Sequence, residues 1–313
     1  MTFAALIAVW RKFWFEPQDA SPVALYRILY GILILQIAVV HLGENFSQWY
    51  GPNAVMTLSA VIKHFWLNEP RFDMLLLLPQ TEGAFAAFHL VFVMVAVALT
   101  VGFCSRYSVL FVWLTLLSMH HHDPFNINGG DAFLRAVGPW LALSHCGDKF
   151  SVDSLIRRKK GLPEPGPSAP WAQRMIQVQL AIVYWQTFCC KIGGTQWLDG
   201  SAIYYATRLD DMFRFPAPII SNNIYLLKAL NWFTLVIEFA GWTVIWFKES
   251  CYYVLIGLFC LHLGIDYMIN LPVFEWAFIF TLVTFIRPED LNYVLHRVKK
   301  LSLKSVRNAG AIT

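Results

Sequence analysis

The chain has 313 residues, of which 57% are hydrophobic and 14% charged, and a formal net charge of +4. An average soluble domain carries about a quarter charged residues, so this composition excludes an ordinary soluble enzyme. The apolar residues run uninterrupted between short polar stretches, without the alternation of barrel strands, which predicts an all-α, polytopic bundle of transmembrane helices.

In chain order, an apolar N-terminal run is followed, not preceded, by Arg11 and Lys12. It therefore predicts a retained interfacial helix and not a signal peptide. Trp10, Phe13, Trp14 and Phe15 around the two cations suit the headgroup level. Ser21 and Pro22 predict a helix cap and a first-turn proline for span one. Eight spans follow: 22–42, 84–103, 107–121, 132–146, 175–190, 226–247, 252–269 and 273–286. The third, fourth and eighth are short, and need either flanking residues or a place inside the bundle away from lipid. A further apolar stretch, 55–67 with 74–78, is either a ninth helix or an interfacial one. The Pro/Gly-rich stretch 161–170 reads as the linker between two halves of four spans. The chain thus divides into an interfacial segment (1–20), a transmembrane domain (21–290) and a basic tail (291–313).

An even number of spans puts both termini on one side. With that side cytoplasmic, Arg11, Lys12, Arg106, Lys149, Arg157, Arg158, Lys159, Lys160, Arg174, Lys248, Arg287 and the basic tail fall inside. Only Lys63, Arg71, Arg208, Arg214 and Lys228 fall outside, as the positive-inside rule requires. The basic run and tail predict anchoring to anionic membrane lipid, and no nucleic acid partner. The six cysteines form no disulfide framework, and nucleotide and phosphate motifs are absent.

With this orientation the costly polar residues cluster in the outer half. They are His41, His89, His120 to His122, Asp131, Arg135, Lys191, His262, Asp266 and Glu275. An ionisable group inside a bilayer is a functional candidate by default, although the wet ends of helices also carry polar caps with no chemistry. Asp131 and Arg135, and likewise His262 and Asp266, stand four apart and are predicted to pair on one helix face. Three consecutive histidines cannot converge on one ion, so His120 to His122 read as a solvated loop and no metal is predicted. Lys191 follows the largely apolar run 175–190 and precedes Gly193 and Gly194. It is either a partly desolvated base or a cation snorkelling at a helix C-terminus. Glu238, near the middle of span six, is predicted to be the most buried carboxylate, either protonated or paired with an unidentified neighbour.

Three stretches resemble the vitamin K-dependent gamma-glutamyl carboxylases and their bacterial relatives, the HTTM (horizontally transferred transmembrane) proteins. The first is Asp123-Pro124-Phe125-Asn126-Ile127-Asn128-Gly129-Gly130-Asp131 with Phe150-Ser151-Val152-Asp153. The second is Gln179-Leu180-Ala181-Ile182-Val183-Tyr184-Trp185, continuing through Lys191 to Trp197-Leu198-Asp199-Gly200 and Ile203-Tyr204-Tyr205. The third is Glu238 followed by His262. The resemblance implies that Lys191 is the counterpart of the base acting on vitamin K hydroquinone, whose anion reacts with oxygen before carbon dioxide adds to a glutamate. The carboxylases have a lysine pair where this chain reads Cys190-Lys191-Ile192, and a histidine after an Asn-Asn pair where it reads Asn128-Gly129-Gly130-Asp131. They also carry a large lumenal domain after the helices, which implies quinol or lipid chemistry here rather than carboxylation of a docked protein.

The expected site is therefore a single outer-leaflet pocket with Lys191 as base, lined by Asn128, Asp131, Arg135, Trp197, Glu238, His262 and Asp266. The implied cofactor is a reduced isoprenoid quinone, with oxygen and carbon dioxide as co-substrates. The implied location is a bacterial cytoplasmic membrane, with the site facing its extracytoplasmic side. The alternative is a non-catalytic membrane protein that binds a lipid or a protein partner, its polar residues only capping and pairing helix ends.

Overall fold

A computed structural model describes residues 2–64, 70–209, 212, 214 and 222–309. It is helical throughout, with no strand among the described residues beyond one isolated bridge between Gln18 and Ser168. In order the helices are α1 (Phe3–Phe15), α2 (Ser21–Gln36) prolonged by a π-helical turn (Ile37–Leu42), α3 (Phe46–Tyr50), α4 (Leu58–His64), α5 (Glu82–Val101), α6 (Ser105–His122) and α7 (Gly129–Leu143). Then come α8 (Val152–Lys159), α9 (Trp171–Ile192), α10 (Thr195–Asp199), α11 (Ala202–Ala206), α12 (Ile224–Trp242), α13 (Cys251–Met268), α14 (Phe274–Thr281) with a 3-10 turn (Leu282–Phe285), and α15 (Pro288–Ala309).

Each of the eight predicted spans is built on a helix. Among the described residues, four helices are long and apolar enough by themselves to cross a membrane: Ser21–Leu42, α5, α12 and α13. The other four fall short of that in length or in apolarity. α14 with its 3-10 turn rises only about 20 Å, against a hydrocarbon core of about 30 Å. It packs against α2, α7, α9 and α13, and Glu275, Ala277, Phe278, Thr281 and Thr284 on it are buried. The short span thus lies inside the bundle. The proposed ninth stretch is not one long helix: α4 has seven residues and a 3-10 turn (Met74–Leu77) comes later, while 65–67 lie outside the described residues.

Connections after α2, α6, α9 and α13 meet at one end of the bundle, the Lys191 end. Those after α5, α7, α12 and α14 meet at the other, the basic end. There Arg27, fully buried on α2, donates from Nη2 to the Phe150 carbonyl at 2.6 Å. Asp153 accepts from the Cys104 and Ser105 backbone N–H groups, both at 2.8 Å, and from Ser105 Oγ at 2.7 Å. It thereby caps α6, whose first N–H groups have no partner inside the helix. A side chain on Gly102 would bring Cβ within 1.8 Å of Arg27 Nη1. The stretch Phe150-Ser151-Val152-Asp153 therefore holds α2, α6 and α8 together. Ser21 is not the cap of α2: the N-cap is Ala20, Ser21 and Pro22 open the helix, and Asp19, one residue before the cap, accepts from the Ser21 N–H at 2.9 Å.

Candidate functional site

Helices α9 and α12 pack antiparallel in a register set by aromatic pairs. Phe188 meets Phe239 at 5.3 Å between centroids, Trp185 meets Trp242 at 6.5 Å, and the Tyr184 ring sits against Gly241, where a Cβ would lie 2.8 Å away. The same register sets Lys191 opposite Glu238, with Nζ 2.5 Å from Oε1. Their side chains are 21% and 6% exposed, so the pair is largely withdrawn from solvent. α9 then stops at Gly193, and α10 brings Trp197 back until its ring centroid is 5.2 Å from Lys191 Nζ. Gly200, at φ +85°, closes α10 in a left-handed turn that favours glycine. Asn231 Nδ2 donates to the Trp197 carbonyl at 2.7 Å. Glu238 Oε2 is buried and has no hydrogen-bond partner among the described residues.

Tyr184 stands seven residues before Lys191, two turns along the same helix face. Its hydroxyl lies 2.8 Å from His262 Nε2 on α13. His262 Nδ1 is hydrogen-bonded to Glu275 on α14, and the imidazole stacks on Phe278 at 5.2 Å. Glu275 is fully buried, and its Oε1 has no partner. An ionised Glu275 fixes the proton on Nδ1 and leaves Nε2 to accept from the Tyr184 hydroxyl. Four helices thus contribute a Lys–Glu pair and a Tyr–His–Glu line, each ending in a carboxylate oxygen with no partner among the described residues.

A separate cavity of about 410 Å³ opens at the same end, lined by His41, Tyr50, His120, Asn126, Asn128 and Asp131 together with apolar side chains. Asn128 and Asp131 form a capping box on α7: Asn128 Oδ1 accepts from the Gly130 and Asp131 N–H groups, and Asp131 Oδ2 accepts from the Asn128 N–H. Burial pushes the Tyr50 hydroxyl above its ordinary range, and Asp123 and Asp131 add to that rise.

The structure therefore divides the predicted pocket. Lys191, Trp197, Glu238 and His262 lie among α9, α10, α12 and α13, whereas Asn128 and Asp131 line the second cavity, with Phe274 and Phe278 of α14 between the groups. Neither predicted i,i+4 pair forms. Asp131 is engaged in its capping box, and Arg135 makes no ion pair among the described residues. His262 turns toward Tyr184 and Glu275, and Asp266 instead takes Arg214 Nη2 at 3.0 Å. Helical spacing says which face two residues share but not what the opposing helix offers.

The histidine triple is no solvated loop. It ends α6 with His120 and His122 buried, and His122 pairs with Asp73 at 2.8 Å. Tyr184 is not singled out by the sequence reading, and Glu275 stands there only among the costly polar residues, outside the expected pocket. The seven-residue spacing to Lys191 was a readable signal for the first.

A family model for the HTTM domain matches residues 15–289. No curated protein and no solved structure matches the chain. Among the described residues, no group of three or more His, Cys, Asp or Glu is placed to hold a metal ion.

Proposed function

This chain belongs to the HTTM family, a membrane family related to the vitamin K-dependent carboxylases, and from that membership we propose that it is a quinol-handling membrane enzyme with Lys191 as its base. The observation that carries this reading is the part-buried Lys191–Glu238 pair with, among the described residues, a free carboxylate oxygen beside it. In a site of low dielectric, moving one proton from the ammonium to the carboxylate removes two buried charges at once. Lys191 then presents a lone pair and can take a proton from an O–H brought within about 3 Å. Glu238 holds the proton that Lys191 gave up. Tyr184, two turns before Lys191 on the same face of α9, forms a hydrogen-bonded line with His262 and Glu275, suited to moving or storing a further proton.

A reduced isoprenoid quinone, when bound, would supply an acidic O–H and two electrons for chemistry with oxygen. The residues present suit such a group: a base, a tryptophan wall at Trp197, and an apolar outer face on α9 and α12 where Trp185, Trp232, Val236 and Phe239 are exposed and an isoprenoid tail can lie. Carbon dioxide would be the further co-substrate if carboxylation is retained. In the same reading, all eight helical segments lie across a bacterial cytoplasmic membrane, with both termini cytoplasmic and the Lys191 end extracytoplasmic, as the lysine and arginine distribution supports.

One observation favours a second reading. Lys191 already pairs with one oxygen of Glu238, as a structural ion pair does in a non-catalytic protein that binds a lipid or a protein partner. Extraction of tightly held quinone from purified protein, followed by an assay of oxygen-dependent epoxidation of a vitamin K-type hydroquinone, separates the two. The expected result is a bound isoprenoid quinone and turnover that falls about 100-fold or more in Lys191→Ala. No quinone and no turnover, or equal turnover in Lys191→Ala, leaves the second reading.

A further inference from the structure

The basic end holds a cavity that this chemistry does not use. It measures about 510 Å³ and is walled by the start of α6, the end of α7, and the segment that contains α8. Its cations are Arg106, Arg157 and Lys160, joined by His145; its acids are Asp148 and Asp153. Both acids are engaged: Asp148 Oδ2 lies 3.1 Å from His145 Nδ1, and Asp153 caps α6. Among the described residues, Arg106, Arg157 and Lys160 form no ion pair. Arg157 donates only from Nε, to the Pro163 carbonyl at 2.9 Å. The nearby Lys149 is not available, because it is bonded to Asp19.

Apolar side chains accompany the free cations. Leu143, Ile156 and Leu162 line the cavity, and exposed Phe103, Tyr107 and Leu110 flank Arg106. We propose that this cavity binds the phosphate headgroup of an anionic membrane lipid, whose acyl chains lie along Phe103, Tyr107 and Leu110. A guanidinium matches two phosphate oxygens at once, and basic residues at a membrane surface attract anionic lipid. A soluble phosphate would meet the same cations, yet has no use for the exposed apolar flank. α8 fits the same role, since exposed Leu155 and Ile156 precede Arg157, Arg158 and Lys159 along it. Nothing in this site depends on Lys191 acting as a base; it requires only that the bundle sits in a bilayer.

The test is native mass spectrometry of the full chain, released from mixed micelles with phosphatidylglycerol or phosphatidylcholine. Phosphatidylglycerol is expected to be retained on the order of 100-fold over phosphatidylcholine. The preference should fall about fivefold per cation removed, and on the order of 100-fold in the triple variant Arg106→Gln/Arg157→Gln/Lys160→Gln. Lys63→Gln, at the opposite end, leaves it unchanged. If the triple variant does not fold, Arg106→Gln alone decides through its fivefold loss. Equal retention of the two lipids, an unaltered preference in folded variants, or full displacement by glycerol phosphate at matching concentration overturns the proposal.

Discussion

Two buried histidine–carboxylate pairs stand among the described residues of this bundle, and they differ in how they end. His122 and Asp73 have side chains 5% and 0% exposed; His262 and Glu275 have 6% and 0%. Burial and residue chemistry are thus matched. In the first pair, Asp73 Oδ2 holds His122 while Oδ1 accepts the Leu75 N–H at 3.0 Å and caps a 3-10 turn. Both oxygens are used, and the pair ties the connection between α4 and α5 to the end of α6. In the second, Glu275 Oε1 has no partner, and the far nitrogen of His262 faces Tyr184. A buried carboxylate oxygen left unsatisfied is unfavourable by about 1–3 kcal/mol or more, so a merely structural pair has reason to close it. The loose ends, not the pair itself, separate a site from a scaffold.

Replacing one carboxylate at a time breaks this contrast. The largest effect is expected for Glu275→Gln, which keeps the shape but removes the charge that orients His262. Quinol-dependent turnover should fall about 100-fold, or about 2.7 kcal/mol, while the protein still elutes as one folded species on gel filtration. Unchanged turnover would make the open pair structural too, and the contrast would vanish. Asp73→Asn should act in the opposite sense. Thermal unfolding in detergent is expected to show a loss of about 1–3 kcal/mol, with turnover per folded molecule preserved. A drop in turnover at constant stability would show that the closed pair belongs to the chemistry.

Much of the fold was legible because hydrocarbon thickness imposes a length on each apolar run, and every predicted span holds a helix. The place of α14 inside the bundle was left open, since its sequence gives its length and not its neighbours. Lys191 and Glu238 each stood out as a charge in an apolar helix. That they meet was not legible, because 47 positions separate them and only the antiparallel register of α9 against α12 joins them. The i,i+4 rule misled for a related reason: Asp131 found donors in its own helix cap, and Glu275 reached His262 from α14 where Asp266 on the same helix did not.

The finest distinction concerns Tyr184, which either links the Lys191–Glu238 pair to the His262–Glu275 pair or merely anchors the imidazole. Tyr184→Phe removes one oxygen and little else, because the ring is seated on Gly241, where a Cβ would lie 2.8 Å from it, and stays in place. In either role, His262 Nε2 loses its partner, and stability should drop by about 1 kcal/mol. The roles part in the kinetics. A linking hydroxyl makes turnover fall about tenfold with the KM for the quinol unchanged, since proton movement and not binding is affected. An anchoring one leaves turnover per folded molecule where it was. Full turnover in a folded Tyr184→Phe protein would therefore confine the proton chemistry to Lys191 and Glu238, and leave His262 and Glu275 as a second scaffold pair after all.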